Sequence, residues 1–293
     1  MAIILITGCS SGIGLEAALA FAEAGDTVVA TLRNPARSGP LAVAAAARRV
    51  SIEVAALDVT RPETFAAFID DIVTRHGRID VLVNNAGILP VGAFEDHDEA
   101  ALRLVMETNF FGPALLTRAV LPAMRRQNSG YIIMISSLSG MAAKAGDSIY
   151  AASKFALEGL SESLRQEVAR WNIRVALIEP AGFATNIFRE TTRGTLGACA
   201  PDSPYRPLIA TQQAALQDDL GAGFDPRTLA QLLVTVSHSD GRRLRWAADP
   251  VAERVMATLF AGDDATRTAF LDTVSGVGWW AAGEEPPLQG AGE

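Results

Sequence analysis

Tyr150 and Lys154 stand four residues apart in Y-A-A-S-K, and Ser137 lies thirteen residues before the tyrosine. On a helix beginning at Ser148, positions four apart share one face about a turn from each other. A phenol then lies beside an ammonium. A neighbouring cation favours the ionised phenol, so the tyrosine is expected to titrate below its usual value of about 10. Such a group can give a proton to a carbonyl oxygen or take one from an alcohol. Ser137 can hold the same oxygen by a hydrogen bond. Tyr–Lys pairs at this spacing are common on helices, so the surrounding elements decide whether this one is chemical.

A second site precedes it. Gly8, Ser10, Ser11, Gly12, Ile13 and Gly14 form a turn in T-G-C-S-S-G-I-G, between an apolar run at 2–6 and a helix-like stretch at 15–23. Glycines in that context let backbone approach a pyrophosphate, and the helix N-terminus supplies N–H donors and a positive dipole end. The spacing G-x-x-x-G-x-G therefore predicts dinucleotide binding. The next strand, 27–32, ends in Leu32-Arg33-Asn34 with no acidic residue to receive a ribose 2′-hydroxyl. Arg33 suits a 2′-phosphate through charge-assisted bonds. The expected cofactor is NADP(H) rather than NAD(H).

These residues need a frame, and the hydrophobic pattern supplies one. Strands are expected at 2–6, 27–32, 51–57, 79–83, 131–136, 173–179 and 243–247. Helices are expected at 15–23, 42–49, 62–76, 99–124, from 148, and near 208–220, 226–236 and 249–259. Alternation with short connections predicts an α/β fold, a doubly wound parallel sheet of Rossmann type. Right-handed crossovers put the loops after each strand along one edge, where ligands bind. One domain is expected over 1–275. A substrate-binding lid is expected at 186–240 and a flexible tail at 276–293.

Composition narrows the function further. With 293 residues, 49% of them hydrophobic, the chain can bury one large core. A net charge of −8 and the absence of a basic run interleaved with aromatics exclude nucleic-acid binding as the main task. The opening apolar run is too short for a signal peptide or a membrane span. Two cysteines, Cys9 and Cys199, make no disulfide framework, so a cytoplasmic location is expected. Three scattered histidines have no metal-ligand spacing, and no metal is expected.

Together these motifs resemble the short-chain dehydrogenase/reductase family over residues 2 to about 185. The resemblance implies that Asp58 and Val59 contact the adenine ring and that Asn85, Ala86 and Gly87, in N-N-A-G, adjoin the cofactor. It makes Ser137, Tyr150 and Lys154 the catalytic serine, tyrosine and lysine, with Lys154 also on the nicotinamide ribose. Asn109 becomes the helix asparagine that orders a water in the proton relay. Pro180, Gly182 and Thr185 match the segment beside the nicotinamide, although Ala181 takes a usual glycine place. A-T-L-R-N and Y-A-A-S-K-F-A-L-E-G-L are most similar to hydroxysteroid and retinol dehydrogenases and related carbonyl reductases.

The implied activity is hydride transfer between nicotinamide and a ketone, aldehyde or alcohol, on a bulky apolar substrate. Phe183, Ile187, Phe188, Leu196 and Tyr205 are expected to shape the substrate site, with Leu89 and Met141 opposite. The family usually pairs subunits through the helices starting at Glu99 and Ser148, which implies a homodimer or homotetramer. Two rivals remain. A catalytically silent NADP-binding sensor or scaffold is disfavoured by the intact Asn109, Ser137, Tyr150 and Lys154. A nucleotide-sugar epimerase is disfavoured by the chain's length and glycine spacing.

Overall fold

A computed structural model describes residues 1–183, 199–200, 202–221, 223–263, 270, 279 and 284–285. Seven parallel strands form one sheet: β1 Ile3–Ile6, β2 Thr27–Leu32, β3 Glu53–Ala56, β4 Val81–Asn84, β5 Gly130–Ile135, β6 Ile173–Glu179 and β7 Arg245–Ala247. Their order is β3-β2-β1-β4-β5-β6-β7. The chain therefore winds outward in two directions from β1 and β4. That switch point opens a crevice at the carboxyl ends of the strands.

The central strands β1, β4 and β5 are buried on both faces because helices cover both. In β1, Ile4 and Ile6 join a core with Phe21, Leu41, Leu229 and Leu233, whereas Leu5 joins one with Phe65, Ile72, Leu116 and Leu157. The first layer comprises α1 Gly12–Glu23, α2 Gly39–Arg48 and α8 Pro226–Ser237. The second comprises α3 Phe65–His76, α5 Gly112–Gln127 and α6 Ser148–Val168. Side chains alternate across each strand, so continuous apolar runs feed both layers.

Two findings differ from the sequence pattern. The helix expected over 99–124 is three pieces: α4 Glu99–Met106, a π-helical turn Glu107–Phe111, and α5. Pro113 has no N–H to continue the ladder, and Gly112 packs where an added Cβ would meet the Val59 carbonyl at 2.7 Å. The turn widens there and rotates Asn109 inward.

The segment 186–240, expected to be a lid, contains α7 Arg206–Gly221 and α8 among its described parts. Leu229, Ala230, Leu233 and Val236 of α8 are fully buried in the first core, so this helix is scaffold and not cover. The last helix, α9 Pro250–Ala261, begins at Asp249, whose carboxylate accepts from Ala252 N at 2.9 Å. The expected tail, 276–293, lies outside the described residues apart from positions 279 and 284–285.

Candidate active site

The strand ends deliver their residues into one cleft of about 570 Å³. Gly8, Ser10, Ser11, Gly12, Ile13 and Gly14 form one wall. Arg33, Asp58 and Val59 close the far end. Asn85, Ala86 and Gly87 line the middle, and Ser137, Tyr150, Lys154, Pro180, Gly182 and Phe183 line the near end. Thr185, Ile187, Phe188 and Leu196 lie outside the described residues.

The glycine wall is fixed by close packing. Gly8 has φ +75°, and an added Cβ would sit 2.9 Å from Ala86 Cα. At Gly14 a Cβ would strike the Gly8 carbonyl and come 2.5 Å from Asn85 Nδ2. Asn85 Nδ2 donates to Thr7 O at 2.8 Å and to Gly8 O at 3.2 Å, tying this loop to the end of β4. Thr7 Oγ1 accepts from the backbone of both Asn85 and Ala86. Ser11 begins α1 in an extended conformation and makes no side-chain capping bond. The first-turn N–H groups of α1 thus face the cleft with a positive dipole end, which suits a pyrophosphate.

At the far end Arg33 is exposed and borders the cleft. With Ser10, Asn34 and Arg37 it also lines an adjoining recess of about 190 Å³. Two guanidinium groups and a hydroxyl suit a phosphate there. Asp58 is held by Thr60, whose backbone N and Oγ1 donate to Asp58 Oδ1 at 3.0 and 2.7 Å. These donors and the glycine cradle fit a dinucleotide carrying an additional phosphate.

At the near end Tyr150 and Lys154 lie one turn apart on α6, and both are buried. The Ser137 hydroxyl hydrogen-bonds the Tyr150 phenol and also accepts from Ser139 N at 3.1 Å. Lys154 Nζ donates to the Ile135 carbonyl at 2.8 Å and stands 5.6 Å from the centre of the Tyr150 ring. Burial pushes Lys154 down to about 8, opposed by the charges of Glu179 and Glu158. Burial also pushes Tyr150 well above its ordinary value; its bond to Ser137 opposes this, while Asp147 and Glu179 add to it. The expected lowering of the phenol is therefore reversed in this structure, because desolvation of the ring oxygen dominates.

Asn109 does not border the cleft. It lies beneath it, with Oδ1 accepting from Ile88 N at 2.9 Å and Nδ2 donating to Ile88 O and Ser153 Oγ. Oδ1 also lies 3.4 Å from where a Gly87 Cβ would sit, and Lys154 Nζ lies 4.0 Å from that same point. The asparagine and the lysine thus both come close to Gly87.

Several contributors were missed in the sequence. Leu138, Ala142, Val251, Val255 and Phe270 join Leu89 and Phe183 in lining the cleft. Met141, expected in that lining, packs instead with Val255 and Leu259. Tyr205 is also placed differently, donating to Glu95 at 2.8 Å. Asp249 Oδ2 accepts from Ala181 N at 2.9 Å and so fixes the segment after β6. Its Asp-Pro start on α9 was a readable capping signal, but nothing in the sequence pointed it at Ala181. Among the described residues, no cluster of His, Cys, Asp or Glu could hold a metal ion, and no helix is long and apolar enough to cross a membrane.

A crevice at the switch point, a glycine-turn wall and a buried Ser–Tyr–Lys group define a dinucleotide-dependent oxidoreductase. A family model described as short chain dehydrogenase matches residues 2–195, and the chain belongs to the short-chain dehydrogenase/reductase family. Over 250 residues it is 44% identical to Retinol dehydrogenase 8 of Homo sapiens, covering 83% of this chain and 79% of the relative. It is 36% identical over 252 residues to Estradiol 17-beta-dehydrogenase 1 of Rattus norvegicus, covering 83% and 72%. These relatives place it in the branch resembling hydroxysteroid and retinol dehydrogenases. A metagenomic short-chain oxidoreductase solved in complex with NADP superposes with a TM-score of 0.66 at 27% identity, covering 84% of this chain and 95% of the other.

Proposed function

We propose that this chain is an NADP(H)-dependent oxidoreductase that interconverts a ketone or aldehyde with an alcohol, using Tyr150 as general acid and base. The observation that carries the reading is the convergence of Ser137, Tyr150 and Lys154 at the near end of a cleft whose far end presents Arg33. The cofactor, when bound, supplies or accepts the hydride.

The chain's own residues handle the proton and the substrate oxygen. Ser137 holds that oxygen while the Tyr150 hydroxyl delivers or removes the proton. Lys154 keeps positive charge beside a phenol that burial alone would hold protonated, and it meets the nicotinamide ribose. Asn109 orders the water that connects Lys154 to solvent beside Gly87. Ser10 to Gly14 hold the pyrophosphate, Arg33 the 2′-phosphate, Asp58 and Val59 the adenine, and Asn85 to Gly87, Pro180, Gly182 and Thr185 the nicotinamide half.

Selection of NADP(H) over NAD(H) rests on Arg33 and the absence of an acid at that strand end. A bulky apolar substrate fits the lining by Leu89, Leu138, Phe183, Val251, Val255 and Phe270. Phe183 presents a ring braced by Phe224 at 5.7 Å between centroids. The names of the relatives, which point to retinol and estradiol, favour the same substrate class.

Replacing Tyr150 with Phe removes the proton donor and keeps the ring. NADPH affinity, read by fluorescence titration, should stay within about twofold. The rate of ketone reduction should fall by about 10²–10⁴. Turnover surviving in Tyr150→Phe would overturn the assignment.

A further inference from the structure

The cleft holds a polar group that the steps above leave without a task. Asp147 is only 5% exposed, yet it borders the cleft together with Ser139 and Lys144. It stands at the start of α6, where an aspartate ordinarily accepts from backbone N–H groups of the first turn. Asp98, Asp225 and Asp249 do so at the starts of α4, α8 and α9. Asp147 does not. Its backbone has φ −107° and ψ 8° in place of an extended conformation, and its side chain makes no capping bond. Oδ2 accepts instead from Ser139 Oγ at 3.2 Å. Among the described residues, Oδ1 accepts from nothing.

Ser139 is itself tied to the reaction centre. Its backbone N–H donates to Ser137 Oγ at 3.1 Å while its hydroxyl donates to Asp147. One residue therefore separates the carboxylate from the serine that holds the substrate oxygen. Asp147 also lies three positions before Tyr150, a spacing that makes neighbours at a helix surface, and its charge adds to the upward shift of the phenol. Carboxylate, serine and phenol thus border the same part of the cleft.

The turn that presents Asp147 is braced. Gly146 has φ +85°, and an added Cβ there would meet Val91, Ile209 and Gln212 between 3.5 and 3.7 Å. Its carbonyl accepts from Gly92 N at 2.9 Å, and Asp147 N donates to Lys144 O at 3.2 Å. The acceptor is therefore fixed before a substrate arrives. Burial pushes the Asp147 carboxyl up, opposed by the charge of Lys144 and by the Ser139 bond. An ionised carboxylate offers about four acceptor positions, and Ser139 fills one. A buried acceptor short of donors costs free energy that a donor on the substrate recovers.

We propose that Asp147 is a specificity-determining residue that accepts a hydrogen bond from a hydroxyl carried near the carbonyl of the substrate. The substrate class narrows from a bulky apolar ketone to an apolar hydroxy ketone, or to the matching diol in the other direction. The inference rests on the reaction proposed above, in which Ser137 holds the carbonyl oxygen. A hydroxyl on a nearby carbon then reaches along the row Ser137, Ser139, Asp147.

Propiophenone and its α-hydroxy and β-hydroxy derivatives, reduced with NADPH, supply the test. The quantity read is the ratio of kcat/KM for the better hydroxy ketone to that for propiophenone. Removing the Asp147 charge changes Tyr150 alike for all three, so that effect cancels from the ratio. In Asp147→Ala the ratio should fall about tenfold to a hundredfold below wild type, the effect of losing a hydrogen bond to a charged acceptor. Asp147→Asn keeps a neutral acceptor, and its ratio should fall about threefold. An unchanged ratio overturns the proposal and leaves the reaction standing, whether the rates stay high or fall together. If Asp147→Ala does not fold, as judged by circular dichroism, the isosteric Asp147→Asn decides alone. Should the wild type reduce none of the three ketones, the reaction proposed above fails. Isothermal titration of the same ketones into enzyme saturated with NADP+ then decides this inference separately. Tighter binding of a hydroxy ketone by wild type than by Asp147→Ala upholds it, and equal binding overturns it.

Discussion

The two ends of the cleft are built by opposite means. At the cofactor end, backbone does most of the work. Gly8 and Gly14 admit a close approach, the start of α1 presents N–H groups, and Asn85 and Thr7 lock these pieces together. At the substrate end, apolar side chains converge from places far apart in sequence, among them Leu89, Phe183, Val251 and Val255. The first construction tolerates little change, because glycine positions and backbone donors have few substitutes. The second can be re-lined one side chain at a time without disturbing the sheet. Such a division lets one scaffold keep its cofactor while its substrate changes.

The sharpest test of the cofactor end is Arg33→Ala. A charge-assisted bond to phosphate contributes about 1.5–3 kcal/mol, so the NADPH dissociation constant should rise by about one to two orders of magnitude. The NADH constant should not move, because NADH has no 2′-phosphate. Isothermal titration of both cofactors with both proteins gives the answer. Equal wild-type affinities for the two would break the assignment of this end to NADP(H).

Lys154 stands at the near end beside Tyr150, and its burial has a measurable cost. Its pKa is lowered from 10.5 to about 8 in the folded protein. Between those values the unfolded chain binds more protons than the folded one, so stability attributable to Lys154 rises with pH. That stability is present above 10.5 and is lost as the pH falls through about 8. Relative to Lys154→Met, the wild type should therefore gain roughly 2 kcal/mol between about pH 7 and about pH 9.5. Urea unfolding of both proteins at several pH values measures this. A constant difference would mean that the ammonium is not desolvated as described.

Legibility in the sequence followed the same division. The alternation of strands and helices and the placement of the loops along one edge were readable because buried parallel strands are apolar runs separated by helical spacing, and T-G-C-S-S-G-I-G announces its own turn. Tyr150 and Lys154 were readable because they lie on one helix. What stayed hidden depends on packing between distant segments. The sequence places Glu158 inside a helix and cannot show that Ser136 and Arg245 both donate to it. Within the segment 186–240, the amphipathic pattern of Leu229, Leu233 and Val236 says that a face of α8 is buried without saying that it packs on the first core. The shift on Tyr150 was misjudged for a related reason. Spacing on a helix reports a neighbouring charge, whereas desolvation is set by everything else that closes over the ring.

The smallest expected effect tests whether the substrate end is as separable as its construction implies. Val255 projects from α9 into the cleft lining and is nearly buried beside Met141 and Leu259. Val255→Ala removes two methyl-sized groups, and each contributes about 0.8 kcal/mol of apolar contact when covered. For a bulky apolar ketone, kcat/KM should fall about fivefold to tenfold. For a small ketone that does not reach α9 it should change less than about twofold. NADPH affinity should be untouched, since it is Asp249 at the start of α9, and not Val255, that bonds to Ala181. A loss shared equally by both ketones would show that the helix acts on the Ser–Tyr–Lys group itself. The two ends of the cleft would then be mechanically coupled, and the substrate wall could not be re-lined independently of the chemistry.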